Sequence, residues 1–172
     1  MTTTVDGNSG GTAVTTTTQP TLQGQVLQVV NYQTGALATG TTLVPFDNTI
    51  PTNTEGDQYM SLAITPKSAT SKLRIDVCLF LSHSAGGAGI ASLFQDSTSA
   101  ALAAGFVGFY TAGGIIQVVF THYMTSGATS ATTFKVRAGS NAAGTITING
   151  QTSAQIMGGA SASSITITEV VP

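Results

Sequence analysis

The sequence predicts an all-β chain: an antiparallel β-sandwich of jelly-roll type, preceded by an extended N-terminal arm. Three observations predict it. Leu73, Ile75, Val77, Leu79 and Leu81 alternate with Arg74, Asp76, Cys78, Phe80 and Ser82, a period of two that puts one face of a strand into a core. Only 7% of the 172 residues are charged, against about 25% in ordinary soluble domains. Thr and Gly are abundant while Glu, Lys and Arg are scarce, a balance that favours strands and turns over helices. Short apolar runs recur between turn signals, roughly eight or nine of them, which fits a double-sheet jelly roll.

Residues 1–24 are low-complexity Thr and Gly with few apolar side chains, and read as an arm that gains order only on a neighbour. Val5, Val14 and Leu22 are its expected anchor on that neighbour. Residues 25–172 are expected to form the sandwich domain. The first strand is Val26–Tyr32, with Val26, Gln28, Val30 and Tyr32 on one face and Leu27 and Val29 on the other.

Residues 33–59 read as a long irregular connection. Turn signals at Thr34-Gly35, Thr39-Gly40, Asp47-Asn48 and Glu55-Gly56-Asp57 surround a short Leu43-Val44. Connections of this length are often functional or form interfaces. Met60, Leu62 and Ile64 then alternate with Ser61, Ala63 and Thr65. The polar connection Pro66–Ser71 joins them to the Leu73–Leu81 run, and the two runs read as an antiparallel pair at the centre of the sandwich.

The loop Ser84–Gly89 follows, then a strand Ile90–Gln95 and a turn Asp96–Ser99. Ala100–Tyr110 and Ile115–Met124 read as a second pair around Gly113-Gly114. The uncharged stretch Ala100–Phe120 has the length of a membrane span. The glycine pair splits it and no Lys or Arg flanks it, so two strands are the better reading and no membrane insertion is expected. In Thr132–Ala138, Phe134 and Val136 point inward and Lys135 and Arg137 outward. Ile146 and Ile148 continue the alternation, and Ser163–Val171 ends the chain with Ile165 and Ile167 on one face.

Composition narrows function. The net charge is −2, and Lys67, Lys72, Arg74, Lys135 and Arg137 form no basic run, which argues against nucleic acid as a partner. The single Cys78 forms no internal disulfide and reads as a packing residue. Met1–Thr4 lacks the basic start and apolar core of a secretory signal, so synthesis and assembly in a reducing cytoplasm are expected.

No catalytic, cofactor-binding or metal-binding residues are expected, and the chain is not expected to be an enzyme. His83 and His122 stand one to a strand, which reads as structural. The GxSxG elbow of hydrolases is absent. Asp47, Glu55 and Asp57 do not follow the spacing of a calcium loop. Asp6-Gly7-Asn8 reads as a turn. The pairs Gly86-Gly87, Gly113-Gly114 and Gly158-Gly159 lack the lysine of a phosphate loop. Arg74 and Asp76, two apart on the polar side of their strand, read as a structural ion pair.

Some strands are apolar on both faces. Cys78 and Phe80 lie opposite Leu79 and Leu81; Val119 and Tyr123 lie opposite Val118 and Phe120. A sheet with one wet face does not show this pattern, so a loop or a second subunit must cover it. Sparse charge favours a subunit. Cys78, Phe80, Val119 and Tyr123 are therefore the expected interface of a homotrimer closed by cyclic symmetry.

The segments ITPKSATSK, SLFQDSTSAAL, ATSATTFKVRAGS and SSITITEV, in that order, carry a resemblance over about residues 25–171. Here the chain resembles small virion proteins of tailed bacteriophages, often labelled tail-fibre or tail-tip proteins. That resemblance implies trimeric jelly-roll knobs at the ends of fibres, with short N-terminal adaptors and no catalytic set. It implies placement in the virion with a tail or major capsid protein as partner; the hydroxyl- and amide-rich loops Gly35–Gly56, Ser84–Gly89, Ser126–Ser130 and Gln151–Ser163 suit contact with a host-surface glycan. This chain shows little fibre-forming shaft, which brings in capsid decoration as the alternative.

Overall fold

The computed structural model of the chain describes residues 24–172. The expected anchors Val5, Val14 and Leu22 lie outside the described residues. Twelve strand segments follow one another: β1 (Val26–Thr34), β2 (Ala38–Gly40), β3 (Asp57–Ile64), β4 (Lys72–His83), β5 (Gly87–Gln95), β6 (Ala103–Phe109), β7 (Ile115–Thr125), β8 (Thr132–Ser140), β9 (Ile146–Ile148), β10 (Gly150–Gln151), β11 (Ala154–Gln155) and β12 (Ser163–Val170). A single 3-10 turn at Met157–Gly159 interrupts them.

The segments form two main sheets. In the first, β4 pairs along one edge with β7. Its other edge is shared end to end by β12, at Lys72–Cys78, and β9, at Leu81–His83. β1 pairs with β12 and β2 with β9, so the sheet runs β7, β4, β12 with β9, then β1 with β2. The second sheet runs β3-β8-β5-β6. All these pairings are antiparallel. From β2 to β9 the chain alternates between the sheets, staying in one only for the hairpin β5–β6, while β1 precedes β2 in the first sheet and β12 returns to it after the separate β10–β11 ribbon. Two interleaved sheets wrapped this way are a jelly roll, and the all-β sandwich predicted from the sequence is the fold observed.

Two expected pairs are corrected. β3 and β4 are not partners: β3 pairs with β8 and sits in the opposite sheet, so residues 65–71 cross the sandwich. β6 and β7 are also in different sheets, β6 paired with β5 and β7 with β4. Alternation fixes which face of a strand is buried, but it carries no information about the partner, and a short polar link crosses between sheets as readily as it turns a hairpin. The strand predicted from Ile90 begins earlier, at Gly87, and the one predicted from Ala100 begins later, at Ala103. The connection expected to be irregular contains one short strand, β2 at Ala38–Gly40, while Leu43-Val44 is irregular as expected.

The core lies between the sheets. Leu73, Ile75, Val77, Leu79 and Leu81 of β4 are fully buried against Leu93, Phe134, Val136, Ile165 and Ile167. In β1 a bulge between Val26 and Gln28 breaks the period. Val26 opposes Val170 and Val29 opposes Thr168 on the outer face, while Gln28 opposes the buried Glu169. Val26 therefore leaves the face that the sequence assigned to it together with Gln28 and Val30.

The outer faces of the two sheets are treated differently. Residues 41–56 lie across the second sheet. The Val44 N–H donates to Ser140 O at 3.0 Å and the Gly56 N–H to Leu43 O at 3.0 Å. Arg137 Nε donates to Glu55 O at 2.9 Å and its Nη2 to Gly56 O at 2.6 Å. Val44 is buried by this contact. The long connection is thus a cover for its own domain. Among the described residues nothing lies across the first sheet in the same way.

Candidate functional site

The uncovered face belongs to β1, β12, β4 and β7. Cross-strand register places Cys78 opposite Val119, Arg74 opposite Tyr123, Asp76 opposite Thr121 and Phe80 opposite Gln117. On the other side of β4, Ser164, Thr166 and Thr168 stand opposite Cys78, Asp76 and Arg74. The four expected interface residues, Cys78, Phe80, Val119 and Tyr123, therefore share this one face. Cys78 and Phe80 are half-buried by their neighbours, whereas Val119 and Tyr123 are each 62% exposed. Ile115 and Val29 extend the apolar surface to either side.

The charges on this face are few and already engaged. Arg74 Nε and Asp76 Oδ2 form an ion pair at 3.0 Å, as the spacing predicts. Thr121 Oγ1 donates to Asp76 Oδ1 at 2.6 Å, and Lys72 Nζ donates to Thr125 Oγ1 at 2.6 Å. Cys78 accepts a contact from Gln117 Nε2 at 2.8 Å. The result is a surface of hydroxyls and apolar side chains whose few charges are Lys72, Arg74 and Asp76.

The four segments that carry the sequence resemblance meet in pairs at two carboxylates. Glu169, in SSITITEV, is fully buried. It accepts hydrogen bonds from the backbone N–H groups of Lys67 and Ser68, from Ser71 Oγ and from Gln28 Nε2. Burial pushes the carboxyl up, but the bonds from Ser71, Gln28, Lys67 and Ser68 outweigh it and hold the group below its ordinary value. Asp96, in SLFQDSTSAAL, accepts from Thr132 Oγ1 and the Thr133 N–H, both at 2.8 Å. Asp96 adopts a positive φ of 50°, a turn conformation that its carboxylate stabilises through these bonds. Both acids are fasteners of the fold.

The remaining titratable groups do not converge. His83 ends β4 and is buried; its Nδ1 accepts from the Ala85 N–H at 3.3 Å and its ring stacks on Phe109 at 5.8 Å. His122 lies opposite Ile75, which puts it about 27 Å from His83 at the rise of a strand. Burial lowers the His122 pKa. Glu55 accepts from the Thr52 N–H, Asp57 from Thr42, and Asp47 from Thr49. Among the described residues no group of three or more His, Cys, Asp or Glu is placed to hold a metal ion. Between β1–β2 and β3 a cavity of about 110 Å³ is lined by Tyr32, Thr34, Tyr59 and Leu79. Burial, with the charge of Asp57 adding to it, pushes the Tyr59 phenol above its ordinary value.

No family model matches the sequence, and no curated protein matches it. Solved structures share the architecture at low identity. The Eiger TNF of S. frugiperda is similar at 10% identity and a TM-score of 0.47, over 82% of this chain and 92% of that one. A CBM4 protein gives 16% identity and a TM-score of 0.41, over 75% of this chain and 76% of that one. The VP2 subviral particle of infectious bursal disease virus gives 12% identity and a TM-score of 0.37, over 86% of this chain and 39% of that one. These likenesses concern the fold alone. No helix among the described residues is long and apolar enough to cross a membrane.

Proposed function

We propose that the chain is a structural protein of a bacteriophage virion surface, a homotrimeric jelly-roll knob of the tail fibre or tail tip that contacts the host surface. The observation that carries the reading is the uncovered face of β1, β12, β4 and β7. The second sheet is sealed by the chain's own residues 41–56, while the first presents Val119, Tyr123 and Phe80 beside a paired Arg74–Asp76. A face of low charge and mixed hydroxyl and apolar character suits burial against another copy. Cyclic closure of three copies hides one such face per subunit.

In this reading the arm, through Val5, Val14 and Leu22, joins the knob to another virion protein. The loops at the ends of the sandwich contact a host glycan through many weak hydrogen bonds, each contributing about 1 kcal/mol, and threefold display multiplies them. The protein takes no cofactor, enters no membrane, binds no nucleic acid and works by contact without catalysis. The resemblance of the four segments named above supports the virion assignment.

The test has two parts. Light scattering at micromolar concentration should give a trimer; a stable monomer overturns the assembly. The trimer is then incubated with host cells, host envelope polysaccharide and empty capsid shells, following bound protein and released sugar separately. Cell binding without sugar release supports the knob. Binding to shells alone selects a capsid-decorating protein anchored by the arm, and sugar release by the pure protein overturns the non-catalytic reading.

A further inference from the structure

The cover over the second sheet ends in a cleft. Phe106 stands on the outer face of β6, beside its register partner Ile90. Phe46, from the covering segment, meets it at 5.0 Å between ring centroids with 61° between the planes. Both rings remain more than half exposed, Phe46 at 54% and Phe106 at 65%. Pro45, Pro51, Asp47 and Thr49 complete the walls of a space of about 190 Å³. The Thr49 N–H and Oγ1 both donate to Asp47 Oδ1, at 2.8 and 2.6 Å, which fixes the carboxylate at the rim. No lysine or arginine lines the cleft, and Asp47 makes no ion pair among the described residues.

We infer that this cleft binds a quaternary ammonium group of the choline type. Charge complementarity sets the sign of the guest. The walls offer two exposed aromatic rings, whose faces are negative by their quadrupoles, and one carboxylate with no cation beside it. An anion has no charged partner here. The Thr49 hydrogen bonds also hold the Asp47 carboxyl below its ordinary value, so it stays charged across the neutral range.

The shape of the polar set then selects among cations. A primary ammonium carries three N–H donors and is strongly hydrated, and walls made mostly of ring and proline carbon replace little of that water. A trimethylammonium group has no donors. It buries its methyls against Phe46, Phe106 and the two prolines while its charge faces Asp47. A sugar needs donors as well as acceptors from its site, and the Thr49 hydroxyl proton is already committed to Asp47.

The inference is independent of the assembly proposed above, since the cleft lies on the opposite sheet from the trimer face. It is tested by amide chemical-shift titration of the full chain with choline chloride, against sodium chloride at equal ionic strength. Shifts confined to residues 45–51 and 104–106 are expected. Phe106→Ala and Asp47→Asn should each weaken binding at least about threefold, with the melting temperature unchanged because both side chains are exposed. The neutral isostere 3,3-dimethylbutan-1-ol should bind more weakly than choline. Equal binding of the isostere would show an apolar cleft without cation recognition, tighter binding of methyl glucoside would make it a sugar site, and the absence of choline-specific shifts at millimolar concentration would leave no site; each overturns the inference.

Discussion

The backbone N–H of Lys67 donates to both carboxylate oxygens of Glu169, at 2.8 and 3.1 Å. Those two residues are 102 positions apart, and the contact ties the sheet-crossing link 65–71 to the last strand. The folded carboxyl lies below its ordinary value of 4.5. Its stabilising contribution is therefore fully present above pH 4.5 and is lost as pH falls through the lower folded value. Glu169→Gln keeps the shape but replaces one acceptor oxygen by a donor facing N–H groups. It should destabilise by about 1–3 kcal/mol at neutral pH and flatten the acid limb of stability. Urea midpoints measured from pH 3 to 7 check both.

That contact also shows where sequence reading stops. The burial of Ile165 and Ile167 and the outward set of Lys135 and Arg137 follow from alternation alone. The same alternation puts Glu169 on the buried face of β12, a signal visible in Ile165-Thr166-Ile167-Thr168-Glu169 that calls for a buried acceptor of hydrogen bonds. Its partners in Lys67–Ser71 were not legible, because the link reads as a local turn and its fold-wide role depends on which sheet each end joins. Phe46 and Phe106 were illegible as a pair for the same reason: 60 residues separate them, and only the path of residues 41–56 over β5 and β6 brings them together. The open face was legible as a two-sided apolar pattern at Cys78, Phe80, Val119 and Tyr123; that residues 41–56 would cover the other sheet was not.

The cover itself is sensitive at Gly139. A Cβ added there would fall 2.5 Å from Thr42 O and 2.8 Å from Val44 Cγ2. The first of these is backbone, so the covering segment must move away. Gly139→Ala should cost about 1–3 kcal/mol by overpacking and lift residues 41–56 from the sheet. Limited proteolysis should then cut within Thr49–Thr54 in the variant well before the parent. Equal cleavage rates would mean the segment is held by Arg137 alone.

Deletion of residues 1–22 should leave the sandwich folded, because among the described residues the ladders begin at Val26 and the buried core contains Leu73–Leu81, Phe134 and Ile165–Ile167. The melting temperature should change by no more than a few degrees. Incorporation into particles should be lost if the arm is the anchor. Unfolding would show that the arm supplies a core strand, and normal incorporation would place the attachment elsewhere.

The proposed trimer face is tested by introducing an aspartate on each sheet. Val119 is 62% exposed in the single chain and stands directly opposite Cys78. Val119→Asp therefore removes almost no core contact and should leave the melting temperature of the monomer close to the parent's. In the proposed trimer the same carboxylate would be shut against an apolar surface with no cation beside it, since Arg74 is paired with Asp76 and Lys72 stands at the far end of β4, opposite Thr125. Burying an unpaired charge costs several kcal/mol, enough to shift the association constant by more than about a hundredfold. Lys135→Asp, on the outer face of the other sheet, gives up one hydrogen bond to Asp96 O at 2.7 Å and should leave association unchanged. Sedimentation equilibrium of the two variants separates the outcomes. Dissociation in Val119→Asp alone supports the face of β4 and β7 as the contact between copies, and equal behaviour of the two variants would place that contact on another surface.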